Sequence, residues 1–333
     1  MSGTLQNKRY GTIDFLKVFL SIGIVVRHAE LVNLAGRNAS YDWINQAGML
    51  LSELYVPMFF VLSGFLFFRN APEKFEWKFF LRQWKKRVRS LLVPYLIANV
   101  VAFGAYWLAY RYYPSMMTGF FGDNWKHPLF IFWTGPVNLT LWFIRDLIVA
   151  IVCAPLTWLL VRYTRVWGVA ALGIVCYFAG MRPWYNFYFA IGAWAALWGQ
   201  DVKQLSLKTG PWWLLVYVCS FAAAMQEPNL KGLTILPGLA LLLYLAEVIT
   251  EKTRLKVGPQ WAAWCFFMYL YHYIPELVLK KLLGNGIDPH TTWGLLLTLL
   301  AVSLLTLGLV SALYFILKRL LPKLTGVLVG GKL

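Results

Sequence analysis

The chain has 333 residues, of which 59% are hydrophobic and 14% are charged, and it carries a formal net charge of +17. Soluble domains contain roughly 45–50% apolar and about 25% charged residues, so this composition excludes an ordinary soluble protein. The basic excess fits the asymmetric loops of a membrane protein better than nucleic-acid binding, and we expect no nucleic-acid partner. The four cysteines lie far apart in apolar segments, which predicts neither a disulfide framework nor a metal site.

The apolar segments, taken in chain order, predict an all-α membrane protein. A helix needs about 20 apolar residues to cross a bilayer, so about ten spans use most of the chain and leave no room for a soluble domain. We therefore predict a single transmembrane domain over residues 1–333, with helices at about 12–33, 47–68, 90–110, 138–161, 167–181, 184–199, 211–226, 232–249, 261–282 and 292–317. The fifth and sixth are the least distinct, because only Met181–Arg182–Pro183 separates them.

Most of the basic residues lie at the chain termini and on every second segment that connects these helices. They precede the first helix at Lys8 and Arg9 and follow the last helix at Lys318 and Arg319. Because basic residues accumulate on the cytoplasmic side of membrane proteins, both termini are predicted to be cytoplasmic.

Residues 69–89 form the longest predicted cytoplasmic segment. It mixes aromatic residues with cations, in the strings Trp77-Lys78-Phe79-Phe80 and Trp84-Lys85-Lys86. This pattern predicts an amphipathic helix that rests on anionic lipid headgroups. A second interpretation, in which some of these cations also meet an anionic, phosphate-bearing donor, is compatible with the first.

The first span carries ionisable residues, which are costly in a bilayer and often functional there. Lys17 and His28 are eleven residues apart, so they lie nearly on one helix face and roughly 16 Å apart along the axis. Lys17 is near the predicted cytoplasmic end and His28 is in the outer half. Histidine is the side chain best able to take and return a proton near neutral pH, so His28 is a candidate general base. The alternatives are a structural histidine at 28 and a snorkelling anchor at 17.

Acidic residues near both ends of this span are candidates for partners of its basic groups. Glu30 and Glu53 lie near the outer ends of the first two spans, and either carboxylate could orient the His28 ring. Glu30 is only two residues from His28 and points away on a regular helix, so we predict that Glu53 is the catalytic partner. Asp14 is predicted to pair with Arg9 or with the Arg87/Arg89 group at the inner surface.

Three further sites place polar or small residues inside an otherwise apolar predicted span. Arg145 is a permanent cation, and because adjacent helical residues diverge, we predict a partner other than Asp146 for it, either as a clamp or as a site residue. His272 either makes a structural hydrogen bond or takes part in catalysis. Ser63-Gly64 places small residues in mid-span, where they allow close helix packing or line a tunnel for a donor.

Five strings in chain order resemble the acyltransferase-3 family of bacterial multi-pass membrane proteins. They are Arg9-Tyr10-Gly11-Thr12-Ile13-Asp14-Phe15-Leu16-Lys17 with His28 following, Pro57-Met58-Phe59-Phe60-Val61-Leu62-Ser63-Gly64-Phe65-Leu66, Arg87-Val88-Arg89-Ser90-Leu91-Leu92-Val93-Pro94-Tyr95, Leu141-Trp142-Phe143-Ile144-Arg145-Asp146-Leu147 and Phe266-Phe267-Met268-Tyr269-Leu270-Tyr271-His272. Lys17 replaces the arginine of many relatives, which keeps the charge but loses bidentate phosphate geometry. No segment is suited to the extra periplasmic domain of some relatives.

The resemblance implies a membrane-embedded O-acyltransferase of the bacterial inner (cytoplasmic) membrane. Its donor would be cytoplasmic acyl-CoA, most often acetyl-CoA, used as a co-substrate without any bound cofactor, and its acceptor a hydroxyl of a cell-surface or exported glycan. His28 would act as general base, or alternatively form an acyl-histidine. The donor would contact Lys17, Arg9, Arg87, Arg89, Ser63 and Arg145. Asp14 and His272 would contact the site residues and not the donor itself.

Two other classes of function use intramembrane charges as well. A secondary transporter that exports a small molecule or a lipid-linked sugar often has paired halves with matching broken helices, and the sequence has no such internal symmetry. A non-catalytic partner of a glycan-synthesis complex would tolerate substitution of Lys17 and His28. We therefore favour acyl transfer.

Overall fold

The computed structural model describes residues 2–31, 38–112, 136–178, 184–199, 202–253, 257–258, 260–284, 286–288 and 290–331. Over these residues the regular structure is helical throughout and no strand occurs. Residues 32–37 and 113–135, which follow the first and third predicted helices, lie outside the described residues, as do the side chains of residues 2–10, which include Arg9.

Fourteen α-helical segments follow one another in the described part of the chain. They are α1 (Ser2–His28), α2 (Ala39–Ser52), α3 (Tyr55–Phe68), α4 (Trp77–Arg87), α5 (Val93–Tyr112), α6 (Trp142–Val152), α7 (Ala154–Phe178), α8 (Trp184–Leu197), α9 (Val202–Gln226), α10 (Ile235–Lys252), α11 (Gln260–Tyr271), α12 (Tyr273–Gly284), α13 (Thr292–Leu320) and α14 (Pro322–Leu328). A π-helical turn, Val88–Leu92, joins α4 to α5, and 3-10 turns precede α6 (Leu139–Leu141) and α10 (Pro228–Thr234).

Within the described residues, five helical stretches are long and apolar enough to cross a membrane. They cover Ala39–Phe68, Trp77–Tyr112, Ala154–Cys176, Pro228–Lys252 and Thr292–Leu320. An all-helical chain with several such stretches is a multi-pass membrane protein. The number of ten spans and the cytoplasmic location of both termini stay predictions.

Several predicted helices prove to be broken or extended. The predicted helix at 138–161 is two segments that meet at Cys153, and the one at 261–282 is two segments that meet at His272. The predicted boundary between 161 and 167 coincides with Arg165, whose φ of 55° and ψ of −135° interrupt α7. The helix predicted at 90–110 begins instead at Trp77, because the π turn carries α4 directly into α5.

The amphipathic segment predicted within residues 69–89 is the helix α4. Phe79 and Phe80 are buried, whereas Trp77 and Leu81 are exposed, as are the cations Lys78, Arg82, Lys85 and Lys86. Trp84 Nε1 donates to the carbonyl oxygen of Ile151 over 2.8 Å, which fixes α4 against the end of α6. Part of the apolar face therefore packs on the protein itself, while Trp77 and Leu81 are exposed together with the cations.

The centre of the fold is α1, which packs against α2, α3, α10, α11, α12 and α13. Leu16, Leu20 and Ile24 on α1 join the main core. Beside them, α3 and α8 approach at backbone distance. A Cβ atom at Gly64 would collide with the backbone of Phe189, and one at Gly192 would collide with the backbone of Val61. These glycines are therefore needed for the close approach of the two helices, as Ser63-Gly64 predicted.

Candidate functional site

A cavity of about 240 Å³ lies between α1, α3, α6 and α11. Polar or charged lining groups are few, namely Lys17, Ser21, Ser63, Arg87, Cys265 and Tyr269. The remaining lining is apolar and aromatic, from residues such as Phe59, Leu66 and Phe143. The structure thus brings three predicted donor-binding residues, Lys17, Ser63 and Arg87, to one narrow and mostly apolar space.

Lys17 lies at one end of this cavity with its ammonium group held by a carboxylate. Its Nζ is 2.8 Å from Oδ1 of Asp14, one helical turn earlier. The prediction that Asp14 pairs with Arg87 or Arg89 is therefore wrong. Residues three apart on a helix are neighbours on its surface, so this local pair forms without a contact between helices.

Arg87 reaches the same cavity from the last turn of α4. Its Nε atom is buried and has no hydrogen-bond partner among the described residues. The π turn at Val88–Leu92 follows immediately, and such turns redirect side chains and occur frequently at functional sites. A half-buried cation whose Nε–H is unused among the described residues is suited to an anionic group.

Arg89 points elsewhere. It lines a separate cleft of about 740 Å³ between the α4–α5 junction and α14, together with Arg82, Lys85, Lys86 and Lys323. Gly330 lies against the backbone of Ser90 with a φ of 66°, which closes the far side of this cleft. The π turn thus sends Arg87 and Arg89 to two different spaces.

Arg145 pairs with its neighbour Asp146, which the sequence prediction excluded, and it also interacts electrostatically with Tyr95 of α5, which agrees with a partner on another helix. Arg145 Nε lies 2.8 Å from Oδ1 of Asp146, although the two are adjacent on α6. The long arginine side chain folds back along the helix, which overcomes the divergence of neighbouring Cα–Cβ directions. Arg145 is also outside the lining of the cavity, to which its neighbours Ile144 and Leu147 contribute.

His28 is the last residue of α1 and is half-buried. Its ring centroid lies 5.5 Å from that of His272 and 5.9 Å from that of Tyr273. Lys280 Nζ donates to the His28 carbonyl oxygen over 2.8 Å, which satisfies an acceptor that the helix end leaves open. The His28 ring therefore sits against the break between α11 and α12.

His272 makes the structural hydrogen bonds that its sequence position suggested, and it also contacts His28. Its Nδ1 lies 3.0 Å from the carbonyl oxygens of both Met268 and Tyr269. Carbonyl oxygens only accept, so Nδ1 carries the proton and the Nε2 of a neutral ring is an acceptor. That Nε2 is fully buried without a partner in the described part of the chain.

The predicted partnership between Glu53 and His28 is not what the structure shows. Glu53 is the C-terminal cap of α2, and its partly exposed carboxylate lies 3.5 Å from Lys231 Nζ, with no hydrogen bond to His28 although both residues are described. Glu30 forms an ion pair with Arg27. A catalytic role of Glu53 thus has no geometric support, because the turn that ends α2 directs its side chain toward the 3-10 turn before α10.

Two charged residues of α12 are absent from the sequence interpretation. Glu276 is completely buried in α12, and Lys280 holds the end of α1. The signal was present as a spacing of four residues between each of His272, Glu276 and Lys280, which places all three on one helix face. An ionisable residue in an apolar segment is a candidate site residue by itself.

The cavity and the histidine pair are neighbours along α1 and α11. On α1 the cavity lining ends at Ser21, and on α11 it ends at Tyr269, whose ring centroid is 6.3 Å from that of His272. His28 is not part of the lining. The arrangement therefore consists of cations at one end, an apolar passage in the middle, and a pair of imidazoles one ring beyond its far end.

Comparisons with known proteins identify the family of the chain. The family model described as "Acyltransferase domain" matches residues 10–315. The chain is also similar to the succinoglycan biosynthesis protein ExoH of Rhizobium meliloti (strain 1021), with 27% identity over 96% of this chain and 92% of that protein. No solved structure matches the chain significantly. The chain belongs to the acyltransferase-3 family of membrane acyltransferases.

Proposed function

We propose that this protein transfers an acyl group, in the first instance acetyl, from cytoplasmic acyl-CoA to a hydroxyl of an exported or cell-surface polysaccharide. The protein would act in the inner membrane with both termini in the cytoplasm. The polysaccharide acceptor is suggested by the similarity to a protein of succinoglycan biosynthesis. The observation that carries the proposal is a cavity that holds the two cations Lys17 and Arg87 and whose lining ends at Tyr269, beside the His272 and His28 rings.

The cation end suits the phosphates of coenzyme A. Arg87 offers a buried N–H without a partner, and Lys17 adds a second positive charge to the same space. Charge-assisted hydrogen bonds to phosphate are among the strongest that a protein makes. Arg89 and Arg9 would add positive charge at the membrane surface, where the separate cleft of Arg89 takes a further phosphate of the donor or of a lipid.

The apolar passage suits the pantetheine arm. Ser63, Phe59 and Phe143 line it from two sides, so it is narrow and largely without hydrogen-bonding groups. A thioester that entered past Lys17 would point toward Tyr269 and the histidine pair. The cavity lining ends at Tyr269, and His272 lies between this residue and His28. The proposal therefore includes a small displacement of Tyr269 or His272 that lets the thioester reach His28 when the donor binds.

The proposed reaction needs one proton acceptor. His28 takes the proton of the acceptor hydroxyl while the hydroxyl oxygen attacks the thioester carbonyl carbon. The new C–O bond forms, the C–S bond breaks, and the leaving thiolate takes the proton back from His28 to give free CoA. General acid–base catalysis of this kind contributes typically 10²–10⁴-fold in rate.

The experiment that tests the proposal is acyl transfer by purified His28→Ala protein. The wild-type protein, incubated with isotope-labelled acetyl-CoA and cell-envelope glycans, should place the label on a glycan hydroxyl, located by mass spectrometry. His28→Ala should lower the rate by about 10²–10⁴-fold. The Lys280 bond to the main chain is retained in this variant, so its melting temperature should stay near the wild-type value.

His290→Ala is the matched control, since His290 is exposed near the start of α13. It should transfer the acyl group at the wild-type rate. If His28→Ala forms product at a rate near wild type, His28 is not the base. If no acyl-CoA is consumed by the wild-type protein with any glycan, the proposed donor is wrong.

A further inference from the structure

A second cavity, of about 790 Å³, lies between the turn from α2 to α3, the N-terminal parts of α6 and α8, and the 3-10 turn that precedes α10. Its volume is within the range of small-molecule pockets, roughly 300–1,000 Å³. The proposed mechanism does not use this cavity. Its lining combines aromatic rings with polar side chains, namely Trp142, Tyr185, Tyr188, Glu53, Asn229 and Lys231.

The second cavity is a neighbour of the cavity that holds Lys17 and Arg87. Trp142 lines the second cavity, and the next residue, Phe143, lines the first. The ring of Phe60 joins the two linings, because its centroid is 5.0 Å from that of Phe143 and 4.8 Å from that of Tyr185. Aromatic rings of α3, α6 and α8 therefore form the wall between the two cavities.

The second cavity is also close to the end of α1. Ser52 lines it and also lines a smaller cavity of about 210 Å³, whose lining includes Arg27, the residue before His28. Glu53 interacts electrostatically with Arg27. A ligand in the second cavity would therefore lie near both the proposed donor cavity and the helix turn that carries His28.

The lining suits a neutral sugar ring. The C–H groups of a sugar ring pack on aromatic faces, and its hydroxyl groups both donate and accept hydrogen bonds. Trp142 and Tyr185, which are partly exposed and have ring centroids 5.1 Å apart, supply the aromatic surface. Glu53 can accept from a hydroxyl group and Lys231 can donate to one. Because these opposite charges lie 3.5 Å apart, the cavity favours neither an acidic nor a basic ligand.

We propose that the second cavity binds a neutral sugar unit of the acceptor polysaccharide. The inference rests on the proposed acyl transfer, to which it adds the site of the acceptor. The bound unit anchors the polysaccharide near the end of α1. Glu53 is then an acceptor-binding residue, and it takes no part in the proton transfer that His28 performs.

The test measures the binding of two probes to the purified protein by isothermal titration calorimetry, namely neutral cellotetraose and acidic tetragalacturonate. The wild-type protein should bind cellotetraose saturably and more tightly than tetragalacturonate. Glu53→Ala should weaken the binding of cellotetraose by about 10- to 150-fold, the effect of losing one hydrogen bond to a charged group. The same variant should bind tetragalacturonate more tightly than the wild type does, because Lys231 loses its counter-charge.

A second variant blocks the cavity without a change of charge. Gly232 lines the cavity, and a Cβ atom built there meets no atom within 4 Å. Gly232→Phe should therefore keep the wild-type melting temperature and weaken the binding of cellotetraose. In the transfer assay, this variant and Glu53→Ala should raise the KM for the glycan and leave the KM for acetyl-CoA unchanged. The matched control is Glu73→Ala, since Glu73 is exposed before α4.

The outcomes separate this inference from the proposed function. His28→Ala should lose acyl transfer and still bind cellotetraose as the wild type does. If the wild-type protein binds no cellotetraose, or if both cavity variants bind it normally, the inference is overturned, and transfer that depends on His28 leaves the proposed function standing. If the variants change binding as expected while the wild-type protein transfers no acyl group, the proposed function fails and the sugar site stands.

Discussion

Replacing Arg87 with glutamine tests the cation end of the passage most directly. Arg87 is the half-buried cation whose Nε has no hydrogen-bond partner in the described structure, and it shares the cavity with Lys17. In the free protein the substitution removes a half-buried charge with an unused donor, so the melting temperature should not fall. With the donor bound, it removes a charge-assisted hydrogen bond to phosphate.

The expected magnitude follows from the number of groups lost. One hydrogen bond to a charged group contributes roughly 1.5–3 kcal/mol, which corresponds to about a 10- to 150-fold change in an equilibrium constant. Lys17 still offers its own charge to the donor, so binding should be weakened and not abolished. The KM for acyl-CoA should therefore rise by about 10- to 150-fold at nearly constant kcat, which is the signature of lost uniform binding.

The assay varies the donor as well as the protein. Initial rates are measured with acetyl-CoA and with acetyl-pantetheine, a thioester that lacks the phosphates. Arg87→Gln should raise the KM for acetyl-CoA only, and the two donors should become more alike. Lys78→Gln, on the exposed face of α4, is the matched control and should change neither value. An equal rise of KM for both donors, or no rise at all, refutes the assignment of Arg87 to the phosphates.

Three further substitutions have distinct expected outcomes. Gly64→Ala should lower the melting temperature in detergent markedly, since a Cβ there meets the Phe189 backbone and overpacking typically costs about 1–3 kcal/mol. Ser63→Phe should fill the cavity and abolish turnover while acceptor binding to the purified protein is retained, and full activity would exclude this cavity as the donor passage. Asn138→Ala removes the buried hydrogen bond of 3.0 Å to the Leu270 carbonyl oxygen, so it should destabilise the protein by about 1–3 kcal/mol in reversible unfolding, and an unchanged melting temperature would contradict this.

The sequence predicted the helical class for a physical reason, but of the predicted donor-binding residues two that are described, Arg89 and Arg145, lie outside the cavity. Long apolar runs can satisfy their backbone only as helices in a membrane, so the helical segments follow from composition. The spacing of Ser63-Gly64 predicted close packing, and the structure adds that Ser63 lines the cavity while Gly64 meets α8. The grouping of Lys17, Ser63 and Arg87 in one cavity agrees with the predicted set.

The ion pairs were predicted poorly, because pairing depends on side-chain conformation and not on spacing alone. Asp14 and Arg145 both found partners on their own helices, where a flexible lysine or arginine bends back. Glu53 was assigned from its depth in the membrane, which does not determine the direction in which a helix cap points. The breaks at Cys153 and His272 have a local cause that the sequence interpretation missed, since Pro155 and Pro275 lie in the first turn of the helix that follows and cannot donate the hydrogen bond that would continue the preceding helix.

The seam between α3 and α8 has a consequence for how this fold can change its substrate. Gly64 and Gly192 allow the backbones of α3 and α8 to touch. A larger side chain at either position would therefore separate the two helices. The opposite wall, built from side chains of α1 and α11, contains no such seam. Relatives that transfer a larger or smaller acyl group should therefore differ at cavity residues of α1 and α11 such as Ser21 and Cys265. The contact between α3 and α8 should stay unchanged while the width of the cavity changes.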